Sequence, residues 1–171
     1  MPHSRANFVA FLTKYNKMKK YYLLIAIIVL SICSLSAQKP IKWRSSIKMI
    51  NETEGIVTMK AIIEPGWHLY GTNLPSGGPK ATSFDFSSSQ GIKLVGGITP
   101  SDEPKKVKDQ LFGLNLNWWD KTLSFTQKFK VINNNNARVI CAISYMGCND
   151  QTCLPPSIQS INISVPAYNK Q

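Results

Sequence analysis

Short runs of apolar and polar residues, rich in β-branched and aromatic side chains, follow one another along this chain from about residue 41 onward. Each run ends at Gly, Pro, Asn or Ser, and none of them shows a sustained helical stripe. The pattern predicts seven strands, near residues 41–50, 55–63, 83–86, 92–98, 122–131, 138–146 and 157–165. Seven strands with regular turn signals favour an all-β domain, an immunoglobulin-like two-sheet β-sandwich.

In the run 138–146 the larger apolar side chains occupy every second position, at Val139, Cys141, Ile143 and Tyr145. Because neighbouring residues of a strand point to opposite faces, this set is expected to face the core. Cys141 is therefore predicted to be a buried, unreactive thiol, since apolar surroundings raise a thiol's pKa.

The longest stretch without a predicted strand runs from residue 99 to residue 120. Irregular stretches of this length in compact domains are usually functional lids or mobile segments. This one carries six large apolar side chains, at Leu111, Phe112, Leu114, Leu116, Trp118 and Trp119. Apolar side chains on a loop need a surface to cover, so the stretch is predicted to act as a lid.

Residues 1–37 are predicted to be a leader with a secretory signal peptide. The segment Met18-Lys19-Lys20 precedes an apolar stretch, 21–35, and a small-residue end at which cleavage is expected after Ala37. An uncleaved anchor is the alternative, although spanning normally takes about 20 apolar residues and serines interrupt this run. Lipid attachment at Cys33 is disfavoured, because a bulky isoleucine precedes it.

Removal of those residues leaves 134 of the 171, residues 38–171, which is enough for one core and too few for two domains. The net charge falls from +11 to +6, since five basic and no acidic residues leave with the leader. The basic residues are scattered, and only Lys105, Lys106 and Lys108 lie close together. No nucleic-acid partner is predicted.

Cys148 and Cys153 follow the last alternating run but one and precede Pro155 and Pro156. Four residues separate them, which differs from the Cys-x-x-Cys motif of thioredoxin-type sites. The spacing suits a hairpin whose two cysteines face each other, at a separation that a disulfide can bridge. Such a bridge could be a modest structural staple or a redox couple, and the residues alone leave both open.

Metal and hydrolytic sites are disfavoured by the composition of residues 38–171. Tetrahedral zinc needs three or four Cys, His or carboxylate ligands, and the Cys and His residues of this region number only four, three cysteines and His68. The nine acidic residues are dispersed and form no paired-carboxylate or Ser-His-Asp motif. No metal and no cofactor are predicted.

The cysteine run resembles the N-terminal periplasmic domain of the thiol:disulfide interchange protein DsbD. The resemblance is carried by Tyr-x-Gly-Cys…Cys-x-Pro-Pro at 145–156, Gly-Trp-His-Leu-Tyr at 66–70 and Asp-Gln-Leu-Phe-Gly at 109–113. It extends over residues 41–166 and implies an immunoglobulin-like fold.

This resemblance implies that Cys148 and Cys153 cycle between dithiol and disulfide, in the periplasm. Cys153 would form the mixed disulfide with partners, and Cys148 would resolve it. The implied electron donor is a thioredoxin-like protein or a membrane thiol reductase, and the acceptors are oxidised periplasmic thiol proteins such as cytochrome-maturation factors or disulfide isomerases. Because no later spanning run follows before Gln171, we expect a stand-alone thiol:disulfide oxidoreductase module with its donor on another polypeptide.

The resemblance also implies a cap loop at Asp109 to Gly113, whose side chain covers the disulfide until a partner displaces it. Leu111 aligns with the family's capping Phe, so either Leu111 or Phe112 is the expected lid. Tyr70 matches an aromatic residue that the family places near the site.

Two features depart from the family pattern. The best-known members have one more residue between the cysteines and an aromatic residue after the second, where this chain has Leu154. The conformation of the local turn and the shape of the partner groove are therefore not fixed by the resemblance.

The alternative function is a non-enzymatic secreted β-sandwich that binds protein or sugar through Trp67, Trp118 and Trp119, although Trp is also common in cores. The bridge would then be a structural staple.

Overall fold

The structure is a computed structural model that describes residues 39–169. The predicted leader and signal peptide, with Cys33, lies outside the described residues. The described part contains one 3₁₀ turn, Asn134–Asn136, and eleven strands. These are β1 (Ile41–Met49), β2 (Glu54–Ile63), β3 (His68–Tyr70), β4 (Ser83–Asp85), β5 (Ile92–Pro100), β6 (Lys105–Lys108), β7 (Asn115–Trp119), β8 (Leu123–Val131), β9 (Arg138–Tyr145), β10 (Gly147–Cys148) and β11 (Ser157–Ser164). Within residues 39–169, no helix has the length and apolar character needed to cross a membrane.

The strands form three antiparallel sheets. The first has the order β1-β2-β8-β5, the second β11-β9-β4 and the third β10-β3-β7-β6. Strand alternation decides which faces meet: on β9 every second residue is buried, beginning at Val139, and on β2 the same holds from Gly55 to Ile63. The first two sheets therefore share one apolar core, as in a β-sandwich of immunoglobulin type.

Phe125 of β8 lies at the centre of this core and is fully buried. Its ring centroid is 4.9 Å from that of Phe84 on β4 and 5.2 Å from that of Trp119 on β7. A third aromatic neighbour, Trp43 of β1, lies 5.8 Å away. One side chain therefore joins strands from all three sheets, and its volume sets how closely they pack.

All seven predicted strands are present, as β1, β2, β4, β5, β8, β9 and β11. The prediction of an irregular stretch from 99 to 120 is wrong, because β6 and β7 form a hairpin within it and only residues 109–114 connect them. The whole β10-β3-β7-β6 sheet was missed. Its strands have two to five residues, too short for periodicity, and β6 is an exposed edge whose lysines lower its apparent strand propensity.

Cys141 is buried as predicted, with 1% of its surface exposed, and it takes part in no disulfide among the described residues. Burial, aided by the charge of Asp85, raises the pKa of its thiol to about 12. At neutral pH the side chain is therefore a protonated, apolar part of the core.

Replacement of Phe125 by Ala is expected to lower the free energy of unfolding by about 3–5 kcal/mol, because it leaves a cavity where three sheets meet. Urea unfolding measures this loss. Ile158→Ala is the matched control, since Ile158 is 71% exposed and should change stability by no more than about 0.5 kcal/mol. Equal losses in the two variants would contradict the central place of Phe125.

Candidate functional site

Cys148 and Cys153 form a disulfide at the outer edge of the third sheet. After Tyr145 the chain leaves β9 and enters the two-residue strand β10, which pairs with β3 so that Cys148 lies opposite His68. Cys153 returns as an isolated bridge to Cys148, with the Cα atoms 4.1 Å apart. Cys148 is fully buried, whereas Cys153 is partly exposed. The two sulfurs therefore differ in what can reach them.

The four residues between the cysteines form a tight turn organised by Asn149. Its side-chain Oδ1 accepts hydrogen bonds from the backbone N–H groups of Gln151, at 3.0 Å, and Thr152, at 2.8 Å. Its own backbone N–H donates to the Thr152 carbonyl at 2.9 Å. Asn readily organises such turns because its short side chain reaches backbone groups two and three residues on. The predicted hairpin is confirmed in this form.

The cap loop, residues 109–113, connects β6 to β7 and is shaped by Asp109. The Asp109 Oδ1 atom accepts hydrogen bonds from the backbone N–H groups of Leu111, at 2.8 Å, and Phe112, at 3.0 Å. The backbone N–H of Asp109 donates to the Leu114 carbonyl at 2.8 Å. Gly113 completes the turn at a φ of 66°, which glycine adopts without steric cost.

A second bond of Asp109 joins the cap loop to β3. The Tyr70 hydroxyl donates to Asp109 Oδ2 at 2.6 Å, and both side chains are buried. Burial raises the pKa of Tyr70 well above its usual value, and the hydrogen bond to Asp109 and the charge of that residue add to the effect. The phenol therefore stays protonated and acts as a donor throughout the physiological range.

The two lid candidates have different surroundings. Phe112 is half-buried and packs with Tyr70, Leu116 and Trp118 in the apolar cluster that also contains both sulfurs of the disulfide. Its ring stands edge-on to that of Tyr70, with centroids 6.1 Å apart. Leu111 is outside this cluster and is 48% exposed. The structure thus brings together the residues that were selected from the sequence, which are Tyr70, the cap loop and the two cysteines.

His68 and Trp118 belong to the same site, although neither was assigned to it from the sequence. The two rings are stacked, with centroids 4.0 Å apart, and His68 also stands edge-on to Tyr70 at 5.1 Å. In the sequence, His68 stands out only as part of the Gly-Trp-His-Leu-Tyr motif at 66–70 and as a disfavoured zinc ligand. The signal that could have identified it is its place two residues before Tyr70, because side chains at that spacing share one face of a strand.

His68 is 95% buried, since 5% of its surface is exposed, and its Nε2 atom has no hydrogen-bond partner among the described residues. Burial lowers the pKa of its imidazole, and the nearby carboxylates oppose that shift. These carboxylates are Asp109, Asp150 and Asp120. At pH 7 the ring is therefore neutral.

A surface pocket of about 390 Å³ lies between the cap loop and the turn that joins the cysteines. His68 and Trp118 line it, together with Lys108 and Asp109 from the end of β6 and Asn149 and Asp150 from the turn.

The other tryptophans of the alternative hypothesis do not form an exposed surface. Trp119 is 5% exposed, and its Nε1–H donates to the Asp102 carbonyl at 2.8 Å. Trp67 packs against the main core. Of the three, Trp118 alone belongs to the cluster around the disulfide.

Comparison with known proteins identifies a family and a fold. The family model described as "Thiol:disulfide interchange protein DsbD, N-terminal" matches residues 37–164. No curated protein matches the chain.

Solved structures that are similar to this chain include two bacterial N-terminal domains. The N-terminal periplasmic domain of ScsB from Proteus mirabilis has a TM-score of 0.56 at 15% identity, over 76% of this chain and 48% of that chain. The present chain thus spans about half the length of the ScsB chain. The N-terminal domain of Neisseria meningitidis DsbD in the reduced form has a TM-score of 0.49 at 15% identity, over 82% of this chain and 98% of that chain. At this identity, the ScsB match supports the fold.

Replacement of Asp109 by Ala is expected to loosen the cap loop, because it removes the acceptor of three hydrogen bonds at once. The amide hydrogens of Leu111 and Phe112 should exchange with solvent at least about tenfold faster, since bonds to a carboxylate contribute about 1.5–3 kcal/mol. Asp109→Asn is the control, because its Oδ1 can still accept from both amides. Slow exchange in the Ala variant would show that Asp109 does not hold the loop.

Proposed function

The chain belongs to the family of the N-terminal domain of the thiol:disulfide interchange protein DsbD, and from that membership we propose that it is an exported oxidoreductase module that relays electrons by dithiol/disulfide exchange. The observation that carries this proposal is a disulfide in which one cysteine is partly exposed and both pack in one apolar cluster with Phe112 of the cap loop. The proposed compartment is the periplasm, which tolerates disulfides. The donor is a thioredoxin-like protein or a membrane thiol reductase, and the acceptors are oxidised periplasmic thiol proteins.

Cys153 is the proposed contact with partners, because Cys148 is fully buried and Cys153 is not. The Cys153 thiolate of the reduced module attacks one sulfur of the acceptor's disulfide, forms a mixed disulfide and releases the other acceptor sulfur as a thiolate. The Cys148 thiolate then attacks the Cys153 sulfur. The Cys148–Cys153 bond forms, the mixed disulfide breaks, and the acceptor leaves with two electrons.

Phe112 is the proposed lid. Its packing against Tyr70 and the disulfide cluster covers the sulfurs, whereas Leu111 is half exposed. Exchange requires a thiolate to approach the disulfide sulfur directly, so an aromatic cover slows reaction with thiols that do not displace it. Asp109 and Tyr70 hold the closed loop, and Leu111 is available to a partner that opens it.

A purely structural bridge is less well supported by the energetics. The cysteines are five positions apart in sequence, and loop entropy for so short a ring stabilises the fold by only about 2 kcal/mol. The sandwich core lies elsewhere, between the first two sheets. The fold is therefore expected to survive loss of the bridge.

The reduction potential of the Cys148–Cys153 pair is expected to lie above about −300 mV, since a relay has to give up its electrons to periplasmic disulfides. Equilibration with buffers of reduced and oxidised dithiothreitol measures it. A value well below that limit is typical of inert bridges and would argue against a relay. In a separate experiment with an oxidised thiol protein as the acceptor, the double variant Cys148→Ser, Cys153→Ser should remain folded, Cys148→Ser alone should form a stable mixed disulfide with the acceptor, and Cys153→Ser should form none.

Replacement of Phe112 by Ala is expected to speed alkylation of Cys153 in the reduced protein by roughly two- to tenfold, because an aromatic pair contributes about 0.5–1.5 kcal/mol to the closed loop. Mass spectrometry after timed exposure to iodoacetamide measures the rate. Leu111→Ala serves as the matched control and should leave the rate unchanged, as Leu111 is 48% exposed. The reverse order of effects would make Leu111 the lid.

A further inference from the structure

His68 is the residue that faces Cys148 across the β3–β10 ladder. Directly opposed residues of antiparallel strands place their side chains on the same face, with Cβ atoms about 4.5–5.5 Å apart. Tyr70, two residues along β3, shares that face and belongs to the cluster that contains Cys148. Of these two ionisable side chains on β3, the imidazole is the one directly opposite Cys148.

The surroundings of His68 leave one nitrogen unused. The ring is held from two sides, stacked on Trp118 and edge-on to Tyr70, and it is 95% buried. Its Nε2 atom is inaccessible and has no hydrogen-bond partner among residues 39–169. Buried polar atoms are almost always paired, so an unpaired ring nitrogen on the residue opposite Cys148 requires an explanation.

The oxidation state of Cys148 supplies one. In the disulfide the Cys148 sulfur carries no proton, so it offers the imidazole no donor. Reduction of the bridge creates a thiol opposite His68, and a thiol S–H can donate to a ring nitrogen. The orphaned atom of the oxidised protein thus acquires a partner when the protein is reduced.

We propose that His68 accepts the proton of the Cys148 thiol when Cys148 resolves the mixed disulfide, a role that rests on the proposed function. The proton passes from Cys148 to the imidazole, and the Cys148 thiolate attacks the Cys153 sulfur. The Cys148–Cys153 bond forms as the bond between Cys153 and the acceptor breaks, and the acceptor leaves as a thiolate. The imidazolium then releases its proton to that thiolate or to water.

The charges around His68 suit a base that is neutral before the step and cationic after it. Burial lowers the pKa of the free ring, so before the step the ring is unprotonated at neutral pH and has a free acceptor nitrogen. The groups that face it are Asp109 from the cap loop, Asp150 from the cysteine turn, Asp120 beyond β7, Tyr70 on its own strand and Lys108 across the pocket. The three carboxylates stabilise the imidazolium, Lys108 opposes it, and Asp120 is partly neutralised by its ion pair with Lys105.

The test uses the reduced full chain and the aromatic disulfide dithiobis(nitrobenzoate) as the stand-in for an oxidised partner. Attack by Cys153 releases one coloured nitrothiobenzoate, and resolution by Cys148 releases the second, so stopped-flow absorbance separates the two steps. His68→Phe keeps an aromatic ring against Trp118 and Tyr70 but has no nitrogen. His68→Gln keeps hydrogen bonding but is not a base.

Both variants are expected to release the first nitrothiobenzoate at the unmutated rate. The second release should be about ten- to a hundredfold slower at pH 6.5, because an unassisted thiol of pKa about 8.5 is only about one part in a hundred ionised there. The difference should shrink as the pH rises towards 9, where the thiol ionises without help. Between these limits the second release of the unmutated protein should be nearly independent of pH, as a thiol–imidazole pair predicts.

Three results would overturn the proposal while leaving the relay intact. These are an unchanged second release in His68→Phe, a slowing of equal size at every pH, or restoration of the rate in His68→Gln. Should His68→Phe not fold, the pH dependence of the unmutated protein is the test. If the rate of its second release falls tenfold for each pH unit below the pKa of the thiol, His68 is excluded as the proton acceptor. Failure of the relay itself looks different. In that case the unmutated protein and Cys148→Ser would both release only the first nitrothiobenzoate.

Discussion

The site depends on one buried carboxyl group. Asp109 accepts from two successive amides of the cap loop with one oxygen and from the Tyr70 hydroxyl with the other. A buried carboxyl group without partners would be strongly unfavourable, so the loop takes the one conformation that supplies all three donors. That conformation turns Phe112 inward and leaves Leu111 exposed. The position of the proposed lid over the sulfurs is therefore a consequence of hydrogen-bond satisfaction in the loop.

The ladder between β3 and β10 adds the second constraint. It buries Cys148 completely, while the turn organised by Asn149 brings Cys153 back at the sheet edge, where it is partly exposed. An edge strand of two residues offers little backbone for unwanted pairing, which suits a site that other proteins approach. Under the proposed relay, the inequality of the two sulfurs assigns their roles: the outer one meets partners and the inner one completes the exchange.

The longer strands and the sandwich could be predicted from the sequence. Apolar and polar residues alternate over eight to ten positions in these strands, as in β2 and β9. The third sheet could not. β3 and β10 have three and two residues, and β6 is largely lysine, so neither periodicity nor propensity marks them. The cysteine pair could be identified from its position and spacing, whereas the redox roles of the two cysteines, the cap loop and Tyr70 came from a family resemblance. His68 was not identified because its place in the site depends on its pairing with Cys148. Pairing between strands about 80 residues apart is not visible in local sequence.

The site also occupies an apolar cluster of its own. Tyr70, Leu116 and Cys148 form a small buried group on the outer face of the third sheet, and Leu69 and Trp119, on the other face of the same strands, belong to the main core. Displacing Phe112 therefore removes contacts from the small cluster alone, whereas the large core around Phe125 stays closed. Segments with few buried contacts open at lower free energy than the core does. A domain built this way can uncover its disulfide for a partner without loosening the sandwich that holds the disulfide in position.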